Sequence, residues 1–228
     1  MPPPKGVRKV RTATEALREG LEAERLGERE VKVAKRPITV EEFLQIFGED
    51  DDVELVDGVV VERMAASLEH ERLFNFLTFI LTGFVEKHGL GVVLGSRTLV
   101  PITPFKGRLP DILFVRKERL DILGEKALKG APDLVVEIVS PGETRAEILQ
   151  RQADYESIGV REFWIVDLPR GEFRALSLNE KTGRLEEMEV KEGVFESKVL
   201  AGFRLKVDWL WQKPLPNVVE VLKELGVI

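Results

Sequence analysis

The sequence predicts an α/β (α+β) protein, a mixed β-sheet flanked by helices with an N-terminal helical extension. Three observations carry this. Leu134-Val135-Val136-Glu137-Ile138-Val139 is apolar on both faces, the mark of a strand covered on both sides. A helical pattern over 143–158 closes at Gly159 and leads to a second buried run, Phe163-Trp164-Ile165-Val166, so strand, helix and strand follow one another as in a crossover unit. Leu73, Phe76, Leu77, Ile80, Leu81 and Phe84 recur at helical spacing and predict an amphipathic helix over 70–87.

The elements follow in order. Residues 1–36 form the extension, in which Thr12 and Glu15 have capping-box spacing and predict a short helix through about Leu26. The main domain, 37–228, opens with a second capping box, Thr39 and Glu42, flanked by Ile38 and Phe43 at staple positions. Val53 to Val61 alternates about Asp57-Gly58 and predicts a hairpin. Residues 92–94, 99–102 and 111–115 are apolar runs between Gly and Pro and predict strands. Phe173–Leu178 and Leu185–Val190 predict a second hairpin across Lys181-Thr182-Gly183, and Val218, Val221, Leu222 and Leu225 a short C-terminal helix. Trp164 reads as core, whereas Trp209 and Trp211 are expected at an interface.

Composition narrows the function. The chain has 228 residues, of which 43% are hydrophobic, enough to bury a full core. No apolar run reaches the ~18 residues that span a bilayer. Met1-Pro2-Pro3-Pro4-Lys5 lacks the apolar core of a signal peptide. The absence of cysteine excludes disulfides, thiolate chemistry and cysteine-based zinc sites, so a cytoplasmic protein without membrane association is expected. Charged residues at 32% fit a heat-adapted source. The net charge of −6 argues against a broad electrostatic grip on nucleic acid but leaves room for a local basic groove.

Glu137 is the most informative position, because an unpaired carboxylate among aliphatic side chains costs several kcal/mol. It must be neutralised, paired or metal-bound. Asp111 follows Pro110 at the start of the preceding strand, and if the two strands are neighbours their carboxylates converge. Two hard oxygen donors with open positions suit Mg²⁺ or Mn²⁺. The spacing is equally compatible with Glu137 paired to an arginine and Asp111 capping a turn.

Pro110-Asp111 followed by Glu137 in an apolar strand resembles the PD-(D/E)XK nuclease superfamily. More narrowly, Ala131-Pro132-Asp133 through Ser140-Pro141, Tyr155, Gly159-Val160 and Glu162 to Asp167 are similar to the Uma family of putative restriction endonucleases. Glu54 to Gly58 and His70 fall where that family's early motifs lie. The resemblance covers about residues 38–207. It implies a restriction-endonuclease-like fold and a hydrolase that cleaves DNA phosphodiester bonds with a divalent metal. Asp111 and Glu137 would be the ligands, and Glu54 an auxiliary acid with an exposed hairpin position as its alternative. Val139 stands where the superfamily pattern has lysine, and Arg151 occupies the family's alternative basic position, on one helix face with Glu147 and Tyr155. Arginine can stabilise phosphoryl charge but is a poor general base. Gln152 is a second candidate for orienting water, and a helical ion pair with Glu147 is the alternative for Arg151. His70 reads as a helix-capping or structural residue. Cutting two strands suggests a homodimer. The competing expectation is a catalytically inactive nuclease-fold protein that binds nucleic acid or protein.

Overall fold

The structure is a computed structural model that describes residues 22–26, 29–33, 36–47, 51, 53–62 and 66–228. The chain divides into two compact units, Met1–Met64 with Thr103–Gly107, and Ala65–Ile102 with Arg108–Ile228.

In the first unit, β1 (Glu22–Leu26) and β2 (Arg29–Val33) pair antiparallel. The helix expected through Leu26 is therefore wrong over residues 22–26, and the rest of that expectation, 12–21, lies outside the described residues. The physical reason is visible in the pairing. A short helix with a thin apolar stripe is marginal in water, whereas β1 gains a full ladder from β2, which itself pairs with β4 through Val31 opposite Val61. Helix α1 (Val40–Ile46) carries the expected capping box: Glu42 N donates to Thr39 Oγ1 at 3.2 Å and Thr39 N to Glu42 Oε2 at 2.9 Å. Ile38 and Phe43, at the staple positions, are both buried. Strands β3 (Val53–Val56) and β4 (Val59–Glu62) form the predicted hairpin. Asp57 and Gly58 both take positive φ, as the tight turn requires, and a Cβ on Gly58 would lie 2.4 Å from Pro37 Cβ.

The second unit opens with α2 (Leu68–His88), capped by Ser67 and closed by Gly89 in the left-handed region. Strand β5 (Gly91–Gly95) follows; β6 (Val100–Thr103) and β7 (Lys106–Arg108) carry the chain to the first unit and back, and Leu55 of β3 pairs with Gly107. Strand β7 is too short and too polar for its sequence to announce. The central sheet then forms from β8 (Ile112–Arg116), β9 (Leu134–Val139), β10 (Glu162–Asp167), β11 (Glu172–Asn179) and β12 (Arg184–Glu187), in the order β12-β11-β10-β9-β8-β5. Strands β9 and β10 are parallel and joined by α3 (Arg145–Ile158), the predicted crossover; the other pairs are antiparallel.

Both faces of this sheet are covered, which is why β9 reads as continuously apolar. Leu134, Val136, Ile138, Trp164 and Val166 join α2 in one core cluster, while Val135, Val139, Phe163 and Ile165 join Ile148 and Tyr155 of α3 in the other. Trp164 is fully buried against Phe173, Phe195 and Phe203. The chain ends in a small antiparallel pair, β13 (Val194–Glu196) and β14 (Arg204–Lys206), and helix α4 (Val218–Glu224). Trp209, expected at an interface, is instead buried in the first of these clusters, with Trp211 packed partly against it.

Two buried acids fasten the sheet's margins. Asp133, fully buried, accepts from Arg116 N at 3.0 Å and Arg119 Nη1 at 2.7 Å, with Arg161 Nε at 3.5 Å. Glu162 accepts from Trp164 Nε1 and Ser197 Oγ through one oxygen, and from Lys198 N and Val199 N through the other. Burial pushes the Glu162 carboxyl up, and its four donors pull it back down. Since its folded value is raised, its contribution is fullest below the ordinary carboxylate range and declines as pH rises through the folded value. Glu162→Ala, which strands four donors, should lower unfolding free energy by about 3 kcal/mol, with a smaller loss for Glu162→Gln, measured by urea unfolding. A second expectation concerns Glu42, whose carboxyl the Arg36 hydrogen bond and the Thr39 N–H hold down at about 2. This pair's contribution is complete above the ordinary value of 4.5 and is lost as pH falls towards 2. Carboxyl-detected NMR should find Glu42 titrating at about 2, and Arg36→Ala should return it towards the ordinary value.

Candidate active site

The antiparallel register of β8 and β9 sets Ile112 opposite Val136. One residue further, the same register brings Asp111 level with Glu137. Side chains alternate along a strand, so Glu137 falls on the face that carries Val135 and Val139, the face covered by α3, while Asp111 stands in the bend just before β8. Both are buried, Asp111 at 4% and Glu137 at 6% exposure. The two strands are neighbours, as the expectation required.

Each acid is held by groups from a different element. Asp111 Oδ2 accepts from the Ile138 backbone N–H at 2.7 Å, which ties it across to β9, and His70 Nε2 lies 3.3 Å from the same oxygen. His70 occupies the first turn of α2, where its backbone N–H donates to the Ser67 cap at 3.1 Å. The helix is capped by Ser67 rather than by the His70 side chain, and the imidazole reaches the acid instead, a contact that no local pattern in the sequence signals.

Glu137 Oε1 accepts from the Tyr155 hydroxyl at 2.6 Å. Burial, the Glu137 charge and this hydrogen bond push the phenol well above its ordinary value, so Tyr155 stays neutral and donating at neutral pH. Glu137 Oε2 faces Arg151 Nη1 at 3.5 Å, a long contact. Arg151 also makes an ion pair with Glu143, through its other terminal nitrogen. Glu147, the partner considered for Arg151 in the sequence, closes the α3 capping box with Thr144.

Arg108 adjoins this group, near enough for its charge to act on Tyr155. Arg108 donates to Asp154 Oδ2 from Nε at 2.9 Å and Nη2 at 2.6 Å, and Gln150 donates to the other oxygen of Asp154 at 3.0 Å. Arg108 thus makes a buried ion pair. Gln152 Oε1 is buried with no hydrogen-bond partner among the described residues. Glu54 lies half-buried on β3 of the first unit, opposite Val61 in the hairpin register. Glu143 and Asp154 were missed by the sequence reading, since each looks like an ordinary polar residue at a helix start or on a helix face.

Among the described residues no group of three or more His, Cys, Asp or Glu side chains has the arrangement of a complete metal cage. Two carboxylates are nevertheless the donor type that Mg²⁺ and Mn²⁺ take, and such ions keep several waters when protein oxygens are few. The donor set fits a hard dication of that kind. No helix among the described residues is long and apolar enough to cross a membrane.

The comparisons agree with this architecture. Among solved structures, the chain is similar to a "putative nuclease belonging to DUF820" from Anabaena variabilis, with a TM-score of 0.64 at 15% identity over 77% of this chain and 98% of that one, a likeness of fold. No curated protein matches. The model of the Uma2 family, described as "Putative restriction endonuclease", matches residues 40–208, which cover β8, β9, β10 and α3 in full. The chain belongs to that family.

Proposed function

We propose that this protein is a metal-dependent endonuclease that hydrolyses DNA phosphodiester bonds. The observation that carries the reading is the pair Asp111 and Glu137, two buried carboxylates on neighbouring strands' chain segments, Asp111 accepting from the backbone N–H of Ile138, the residue after Glu137, with a guanidinium beside Glu137. In this reading they hold Mg²⁺ or Mn²⁺. An ion there would lower the pKa of an attacking water and offset charge developing on the phosphoryl oxygens.

The chain's own residues supply the rest. Tyr155, neutral and donating, orients the Glu137 carboxylate, and Ile138 N–H with His70 orients Asp111. Arg151, a permanent cation, donates to the phosphoryl oxygens. It cannot take a proton, so the base is the substrate phosphate or solvent. Gln152, with an unfilled buried acceptor, orients the water. Glu54 is an auxiliary acid in this reading on family resemblance alone. A homodimer would place two such sites for the two strands of a duplex.

A second reading is favoured by one observation: Glu137 already accepts from Tyr155 and faces Arg151, so its charge is compensated within the chain. On that reading the protein is a catalytically inactive member of the fold that binds nucleic acid or protein. Supercoiled plasmid with Mg²⁺ or Mn²⁺ separates the two. Wild type should nick it, and Asp111→Ala and Glu137→Ala should each lose about a hundredfold or more in rate, equivalent to roughly 3 kcal/mol of transition-state stabilisation. Equal nicking by both variants and wild type would refute the assignment. Tyr155→Phe, which keeps the ring and deletes one donor, should weaken Mn²⁺ binding by about tenfold to a hundredfold in calorimetry.

A further inference from the structure

Where β9 and β10 begin, a pocket of about 300 Å³ is lined by Arg116, Arg161, Ser177, Glu180 and Lys198, none of which the proposed reaction uses. Two of these residues contact Asp133, which immediately precedes β9 and lies four residues, about 13 Å along the strand, from Glu137. Buried groups place each cation. Arg116 Nε and Arg161 Nε stand 3.8 and 3.5 Å from Asp133 Oδ1, and the terminal nitrogens of Arg116 have no partner among the described residues. The loop after β13 is fastened by Glu162, whose Oε2 accepts from Lys198 N at 2.8 Å. Lys198 Nζ then donates to Ser177 Oγ at 2.9 Å. Ser177 is only 9% exposed and sits opposite Glu162 in the β10–β11 register. Its hydroxyl proton has no acceptor among the described residues.

The polar side chains of this pocket are therefore donors with one exception. The exception is Glu180, 83% exposed and 3.6 Å from Arg161 Nη1, an acid with room to turn into solvent. Asp133 is already matched by Arg119 Nη1 at 2.7 Å, and Lys198 reaches no carboxylate among the described residues, so the needs of Asp133 do not account for the pocket's charge. The C-terminus of α3 meets the pocket at Gly159 and opposes an anion by about half a charge, less than the excess of cations over acid in the lining. Guanidinium, ammonium and hydroxyl donors from four separate segments suit a tetrahedral anion, which can accept several charge-assisted hydrogen bonds from different directions at once. A cavity of this size stands at the small end of ligand-binding clefts. We propose that the pocket binds a phosphate dianion, free or as the end of a small phosphomonoester.

Calorimetric titration of the full chain with inorganic phosphate and with glycerol phosphate, without divalent metal, tests this. Wild type should bind, and Lys198→Gln should bind about tenfold more weakly. Glu180→Gln, which removes the competing acid, should bind about threefold more tightly, a gain that loss of folding cannot imitate. Lys223→Gln, on α4, should match wild type. Heat with glycerol phosphate assigns the ester as ligand, and heat with inorganic phosphate alone assigns the free ion. Absence of binding to either in the millimolar range overturns the proposal, as does a Lys198→Gln affinity equal to wild type. A DNA duplex without terminal phosphates that binds more tightly than both, and is weakened by Lys198→Gln, overturns it in favour of a backbone contact. Should Lys198→Gln fail to fold, Glu180→Gln alone carries the test: tighter binding supports the pocket, and equal or weaker binding overturns it.

Discussion

The hydrogen bond from Tyr155 to Glu137 is the constraint on which the second unit turns. A strand covered on both faces has no water to solvate a charged side chain, so the carboxylate in β9 requires a donor at a fixed place. Tyr155 supplies it from the last turns of α3, and its ring packs on Phe163 of the neighbouring strand, with centroids 5.2 Å apart. The crossover helix is thereby held to the sheet at the point where the acid emerges. A shift of α3 along its axis would separate hydroxyl from carboxylate and cost both this buried hydrogen bond. Packing and polar satisfaction select the same register.

Much of this was legible in the sequence because the signals are local. The capping box at Thr39, the Asp57-Gly58 turn and the spacing of Leu73 to Phe84 each determine backbone geometry within a few residues, and each element formed where expected. The parallel pairing of β9 and β10 followed from the helix between them. The exception was residues 22–26, where a helical cap signal upstream was read through a segment that pairs as a strand. Short charged stretches carry little intrinsic preference, and a partner strand decides them.

The candidate site divides along the same line. Glu137 stood out because a charge inside an aliphatic run is anomalous in itself, and Asp111 because it opens the neighbouring strand. The groups that hold them were much less visible. His70 is 41 residues from Asp111, and Arg108 is 46 from Asp154. Such contacts are products of topology, and no spacing rule encodes them. Glu143 is close to Arg151 in sequence, yet its direction depends on the turn at Ser140, so its residue type alone says nothing about its partner.

Asp133 shows how a single acid can join separate stretches of chain. The guanidinium groups and the backbone amide that converge on it come from the end of β8, from the turn after β8 and from the entry to β10. Three guanidinium groups thus share one anion that no solvent reaches. For anyone recombining this protein with relatives, these segments form one transplantable block. A loop grafted without its counterpart leaves Asp133 short of donors at a place where no water can replace them.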